Sequence, residues 1–296
     1  MIATFPNFDN LELSHKDPIR NITEKYDPYS DFNFTSLYCW NLNNSTAVST
    51  LNNNLIIRLA DYLTGDVIHS LLGETKIDES LSELLKHDYS LKLVPETVIK
   101  HINQKQHFKI IEDPDNFDYI YSLRSQSELA GKTYKGKRKK NNSFIKNFGA
   151  DLQTVKLIFG NKSHAKTTLE IFDKWSTEKL LDATATAAER NAIERLLNAR
   201  MSKKLMGIII FIENNAVGFS INEVISADYA ICHFQKTLPI YKGIDTFLTI
   251  LTSKELRHFD CEYVNWEQDL GVSGLKQFKL NFKPDKFLKK YTVTRV

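Results

Sequence analysis

The sequence predicts an α/β (α+β) protein built as two domains in tandem, with mixed sheets flanked by helices. Three observations carry that expectation. A chain of 296 residues has about twice the length of an ordinary domain. Its 42% hydrophobic and 25% charged content is that of a folded protein and excludes wholesale disorder or a fibrous architecture. From Leu55 onward, short strand-like runs alternate with helical patterns, as they do where helices pack on sheets.

Residues 1–54 are rich in Asn, Asp, Ser and Thr, with aromatic anchors at Phe32, Phe34, Tyr38 and Trp40. Strands are expected at Leu55–Leu59, Asp66–Leu72, Leu91–Val94, His107–Ile111 and Phe117–Leu123. Helices fit Glu79–His87, opened by Asp78 as a cap, and Glu96–Ile102, opened by Pro95. One basic helix is expected from Gln126 to Phe148, although Gly131 and Gly136 lower the propensity of its first turns.

The second half reads β-α-α-β-β-β-α-β-α-β. A strand at Gln153–Phe159 precedes helices His164–Lys179 and Ala187–Met201, the second marked by Ile193, Leu196 and Leu197 at helical spacing. Strands Leu205–Glu213 and Val217–Val224 flank Asn214-Asn215, a hairpin signal, and a third strand fits Tyr229–Gln235. Helix Gly243–His258 carries Ile244, Phe247, Leu248 and Leu251 on one face. Strand Glu262–Asn265, a short helix at Ser273–Lys279 and a last strand Phe287–Thr294 complete the order. The resulting division is an N-terminal domain over 1–125, a connecting helix over 126–148 and a C-terminal domain over 149–296.

A net charge of +3 conceals a strong asymmetry. Residues 129–150 hold seven basic side chains and no acidic one, and residues 275–296 hold seven and one. Two short segments thus supply 14 of the 39 Lys and Arg residues, a local field suited to a phosphate backbone or an acidic lipid surface. In the tail, Lys279, Lys283, Lys286, Lys289 and Lys290 alternate with Phe278, Phe282, Phe287 and Tyr291, as in a strand with lysines in water and aromatics in the core. The longest apolar run, Ile208–Ile212, is far short of the ~18 residues that span a bilayer. The first ten residues have no basic cluster or apolar run of the signal-peptide kind. Cys39, Cys232 and Cys261 have neither disulfide-framework nor metal-ligand spacing, and no metal site is expected. These features predict a reduced, cytoplasmic, globular protein.

Two stretches narrow the expectation. The first is Leu129-Ala-Gly-Lys-Thr-Tyr-Lys-Gly-Lys-Arg-Lys-Lys-Asn-Asn-Ser-Phe144, preceded by Asp118-Tyr-Ile-Tyr121. The second is Val264-Asn-Trp-Glu-Gln-Asp-Leu-Gly-Val-Ser-Gly-Leu-Lys-Gln-Phe-Lys279, followed by Pro284 and Lys290-Tyr291. In this order and separation they resemble the phosphatidylglycerol lysyltransferase C-terminal domain family (DUF2156), including its stand-alone bacterial members. The likeness runs from about Asp31 to the C-terminus. The element order likewise resembles the GCN5-related N-acetyltransferase (GNAT) fold. The resemblance implies two GNAT-like folds in tandem, packed together through the basic helix. It also implies transfer of an aminoacyl group from aminoacyl-tRNA to the glycerol hydroxyl of phosphatidylglycerol or to another acceptor.

Carried over residue by residue, Lys137, Arg138, Asn142 and Phe144 match the family's basic pattern, whereas Lys139 stands where Asn is usual. These residues would contact tRNA phosphate, with Tyr134 stacking on a base. An exposed face of a structural helix is the alternative. His233 and Lys236 match a His-x-Glu-Lys pattern in which Gln235 replaces the Glu. The turn Gln235–Thr246 has the single glycine Gly243, with Lys242 beside it, where acetyl-CoA enzymes carry two small residues to hold a pyrophosphate.

A third group is Asn265, Glu267, Asp269, Gly271, Lys276 and Lys279. Glu267, Asp269 or His233 would accept a proton, and a Lys or backbone N–H groups would stabilise an oxyanion. The structural alternative has Asp269 capping the next helix and Glu267 paired with Lys276 or Lys279. The expected donor is therefore aminoacyl-tRNA, lying between Lys236–Gly243 and Asn265–Gly271, with no bound cofactor and coenzyme A as the alternative donor. Further expected partners are tRNA and, peripherally, anionic lipid at the inner membrane face. The same residues also admit an acyl-CoA-dependent N-acyltransferase, or a non-catalytic module that binds RNA or anionic lipid.

Overall fold

A computed structural model of the chain describes residues 2–61, 64–87, 90–181, 183–199 and 204–296, with the side chains of 183–185 left aside. Two compact units emerge. The first comprises residues up to Ile120 together with Glu267–Val296, and the second is Tyr121–Trp266. The last thirty residues thus belong with the N-terminal half, a correction to the division at 149.

In the first unit, β1 (Asp9–Asn10), β2 (Ala47–Leu51), β3 (Asn54–Ala60) and β4 (Val67–Leu72) form an antiparallel sheet in that order. Asn52 and Asn53 both have positive φ and join β2 to β3 in a two-residue turn, as a tight hairpin requires. Helices α1 (Lys16–Thr23) and α2 (Phe34–Trp40) precede β2. Asn33 caps α2 through the Ser36 N–H, so the aromatics of residues 1–54 belong partly to a helix the composition conceals. Then follow α3 (Ile77–Leu84), β5 (Leu91–Pro95), α4 (Glu96–Lys100), β6 (Phe108–Glu112) and β7 (Asp118–Ser122). Asp78 does not cap α3. The helix starts at Ile77, two residues earlier than expected, and Asp78 instead accepts from the backbone N–H groups of Asn103 and Gln104.

The returning segment contributes α10 (Ser273–Leu280), β13 (Lys286–Leu288) and β14 (Lys290–Arg295). β14 runs between β5 and β6, antiparallel to both, and β13 pairs with β7. The single last strand expected is therefore two. Nor do its lysines all face water, since Lys290 is fully buried. The core here joins Ile56, Leu71, Leu81, Val94, Phe108 and Val293.

The second unit holds α5 (Leu123–Glu128), α6 (Lys135–Phe148), β8 (Leu152–Lys156), α7 (Lys162–Lys179), α8 (Ala183–Asn198), β9 (Leu205–Ile212), β10 (Asn215–Val224), β11 (Tyr229–Thr237), α9 (Ile244–Arg257) and β12 (Tyr263–Asn265). The expected end of α8 at Met201 lies outside the described residues. The hairpin turn is Glu213-Asn214, both with positive φ, one residue before the expected pair. The sheet runs β12-β11-β10-β9-β8, antiparallel except for the parallel pair β11/β12. Adjacent residues of β11 point to opposite faces. Gln235 reaches Thr249 on α9, while Lys236 reaches Trp175 on α7 and Glu189 on α8. Helix α9 thus covers one face of the sheet, and α7 with α8 the other.

The single helix expected over 126–148 is two helices. Leu129 and Gly131 adopt positive φ and break it. Arg138, back on α6, donates to the carbonyl oxygens of Leu129 and Gly131, the latter at 2.7 Å, and holds the break in place.

Candidate functional site

In the second unit, β11 and β12 pair only over Tyr229↔Tyr263, Ala230↔Val264 and Ile231↔Asn265. Beyond that point β12 ends, while β11 continues to Thr237 along β10. Where the two strands part lies a narrow crevice lined by Gln126, Gln235, Thr249, Thr252, Ser253 and Trp266, with no charged side chain among its lining residues. Gln235 donates to the Thr249 hydroxyl at 3.1 Å, so it is fixed by α9 and offers no carboxylate. The hydroxyl of Thr252 is buried here with no hydrogen-bond partner among the described residues. Buried polar atoms are normally matched, so this hydroxyl is an exception, and the crevice is too tight as it stands to admit a water molecule.

The N-terminus of α9 is built by a close approach. Gly243 precedes it with φ of 104°, and a Cβ there would come within 2.8 Å of the Lys140 carbonyl oxygen and 2.9 Å of the Phe144 Cβ. Helix α6 therefore rests on α9 through a position open only to glycine, with Phe144 against Phe247 and Phe148 against Tyr241. Lys140 pairs with Asp245 in the first turn of α9 at 2.7 Å. Burial in this contact pulls Lys137 down to about 8, and neighbouring Lys140 adds to the effect while Asp245 opposes it. Replacing Asp245 by Asn removes the opposing charge. The expected result is a Lys137 titration below about 8, followed by NMR of its ε-CH2 group; an unchanged titration would show that Asp245 does not act on this ammonium.

The expected basic residues divide accordingly. Gly243 meets the backbone of Lys140, Lys137 is half-buried and feels the Asp245 charge, Lys242 and Asn142 are exposed, and Arg138 is committed to the turn at Leu129. Asn265 is buried where the parallel pairing ends. His233 lies at an irregularity in the β10–β11 register, 3.5 Å from Glu223, and both side chains are almost completely buried. Lys236 sits 2.7 Å from Glu189 and 4.2 Å from the centre of the Trp175 ring. Glu223, Glu189 and Trp175 were not anticipated. Glu223 did leave a signal, as the one ionisable residue in the apolar run Val217–Val224.

The remaining expected residues belong to the first unit, where they hold a loop together. Asp269 is fully buried and accepts from the Gly271 N–H at 2.8 Å and from the Tyr119 hydroxyl. Burial, reinforced by that carboxylate, pushes the Tyr119 phenol well up. Lys279 donates to the carbonyl oxygens of Glu267 and Gln268 at 3.0 and 2.6 Å, and Lys276 pairs with Asp115 at 3.0 Å. Glu267 accepts from the Ser36 hydroxyl at 3.3 Å. Asp269 therefore does not cap α10, and Lys276 pairs with Asp115 in place of Glu267, because the positive-φ turn at Leu270-Gly271 folds these groups onto their own backbone.

No cluster of metal-ligating side chains and no helix long and apolar enough to cross a membrane occurs among the described residues. The family model for the C-terminal region of phosphatidylglycerol lysyltransferase matches residues 23–294. The chain belongs to that family. No curated protein matches it in sequence. Among solved structures, a conserved Bacteroides thetaiotaomicron protein of unknown function is similar with 22% identity and a TM-score of 0.84, covering 100% of both chains. The C-terminal domain of a protein assigned as a lysylphosphatidylglycerol synthetase from Agrobacterium fabrum has 13% identity and a TM-score of 0.63, covering 96% of this chain and 92% of that one. FemX has 8% identity and a TM-score of 0.58, covering 98% and 95%. These likenesses are of fold, which is the mixed α/β, GNAT-like architecture expected.

Proposed function

We propose that this member of the phosphatidylglycerol lysyltransferase C-terminal family is an acyltransferase that takes an aminoacyl group from aminoacyl-tRNA. The acceptor is a hydroxyl or amine, with a phosphatidylglycerol-like lipid first among the candidates. The observation that carries the reading is the family match over residues 23–294; the neutral polar groups where β11 and β12 part are closed to water in this structure and would have to open to admit an ester. Coenzyme A fits less well. A pyrophosphate at the N-terminus of α9 would meet the Asp245 carboxylate, and the single glycine of the turn is packed against the Lys140 carbonyl. Both features weaken an anion cradle.

In the reaction, the acceptor O–H or N–H attacks the ester carbonyl, its proton passes to a base, and the ribose oxygen leaves with a proton returned to it. As part of this proposal, His233 with Glu223 is taken as the base, the carboxylate stabilising the imidazolium formed, and since neither side chain lines the crevice, access to it would require the strands to open. Gln235 cannot serve in that role.

The test is incubation with radiolabelled aminoacyl-tRNAs, lipid extract and cell lysate, with Glu223→Gln in parallel. Label moving to lipid or another acceptor, slowed at least tenfold in the variant, is the expected result. Ester bonds left intact by the wild type would sink the reading, and turnover only with acyl-CoA would replace it.

A further inference from the structure

Helix α6 carries five lysines and an arginine, and the structure separates them by task. Arg138 holds the turn at Leu129, Lys140 pairs with Asp245, and Lys137 is half-buried against α9. Lys135, Lys139 and Lys146 remain exposed, and Asn142 with them. Their spacing is i, i+4, i+7, i+11, so all four lie on one side of the helix in a stripe about 16 Å long. The buried Phe144 lies on the opposite side.

We infer that this stripe docks the phosphate backbone of RNA. The charge is complementary, since residues 129–150 contain no acidic side chain. Cations one helical turn apart follow a chain of phosphates, and the amide of Asn142 donates to a phosphate oxygen between them. A lipid surface is less well served. A helix that lies on a membrane turns an apolar face to it, whereas Phe144 and Phe148 of α6 are already packed against Phe247 and Tyr241. Ile145, exposed on α6, lies about a quarter-turn off the stripe. The inference takes RNA as partner from the aminoacyl-tRNA reading, but docking is measured without transfer, so the two fail separately.

The experiment is fluorescence anisotropy of the full chain with a deacylated tRNA mixture. It compares wild type with the triple variant Lys135→Glu, Lys139→Glu, Lys146→Glu across a salt series, with co-sedimentation on phosphatidylglycerol vesicles in parallel. Affinity for tRNA should fall at least tenfold, and the salt slope should drop by about 2, at roughly 0.7–0.9 per neutralised phosphate. The melting temperature should hold, because the three side chains are exposed. Unchanged tRNA affinity and slope would overturn the inference. So would loss of vesicle binding with tRNA binding retained, which would assign the stripe to lipid.

Discussion

Lys290→Ala is expected to destabilise the first unit by about 3–5 kcal/mol, the cost of removing one partner from a buried ion group. Lys290, Asp31 and Asp118 are all fully buried. The ammonium contacts Asp31, lies 2.8 Å from Asp118 and donates to the Ser30 hydroxyl at 3.3 Å. Asp118 also accepts from the backbone N–H and hydroxyl of Ser30, at 2.8 and 2.7 Å, and Asp31 accepts from the Gln268 amide at 3.2 Å. Two separate stretches of chain thus meet the ammonium, and a third, at Gln268, braces one of its carboxylates. Burial alone would make the ammonium easier to deprotonate, but the two carboxylates outweigh it and raise Lys290 above an ordinary lysine. A lysine raised on folding contributes stability that is fully present below the unfolded value, near 10.5, and is lost only as pH rises through the folded value. The cation should therefore stay charged through neutral and mildly alkaline pH, up to about 10, and its pairing should show no alkaline loss in that range. Removing it leaves two facing carboxylates without a counter-charge, and one must take up a proton. Urea melts of Lys290→Ala and of the combined Lys290→Met, Asp31→Asn, Asp118→Asn variant provide the check. The combined variant should recover most of the loss, because the charges leave together. A loss under about 1 kcal/mol for Lys290→Ala would mean that solvent reaches the site.

The same lysine shows where local sequence stops being informative. Alternation of Lys with aromatics in residues 279–291 is a sound surface-strand pattern, yet whether a lysine faces water depends on partners some 170 and 260 residues away. The assignment of the C-terminal segment to the first unit failed to show for the same reason, since pairing of β14 with β5 and β6 is long-range. Where a signal is local, the reading was close. Periodic apolar runs located β9, β10, β11 and α9 to within a few residues. Propensity correctly marked Gly131 as a weak point, but only the folded chain shows Arg138 closing that break. For the site, the one charge in an apolar strand is a local signal that could have singled out Glu223, while Trp175 and Glu189 lie on helices and meet Lys236 only through packing.

Gly243→Ala should produce the second large effect, and it links stability to the basic surface. Two independent penalties act at this position. A non-glycine residue at φ of 104° is strained by roughly 1–3 kcal/mol. The new Cβ would also fall 2.8 Å from a backbone oxygen of α6, which cannot rotate away as a flexible side chain would. Helix α6 must then shift off α9, loosening the Phe144–Phe247 contact and exposing Lys137. Because burial is the main cause of the low Lys137 value, its titration should climb from about 8 toward that of an ordinary lysine while the melting temperature falls. Gly243→Asn separates the two penalties. Asn tolerates positive φ better than Ala but carries the same Cβ, so a clash-dominated position predicts that Asn rescues little. If Asn restores stability, backbone conformation alone explains the glycine. If Ala leaves both the melt and the Lys137 titration unchanged, α6 does not rest on α9 in solution. The stripe at Lys135, Lys139 and Lys146 would then lack the rigid support on which its spacing depends.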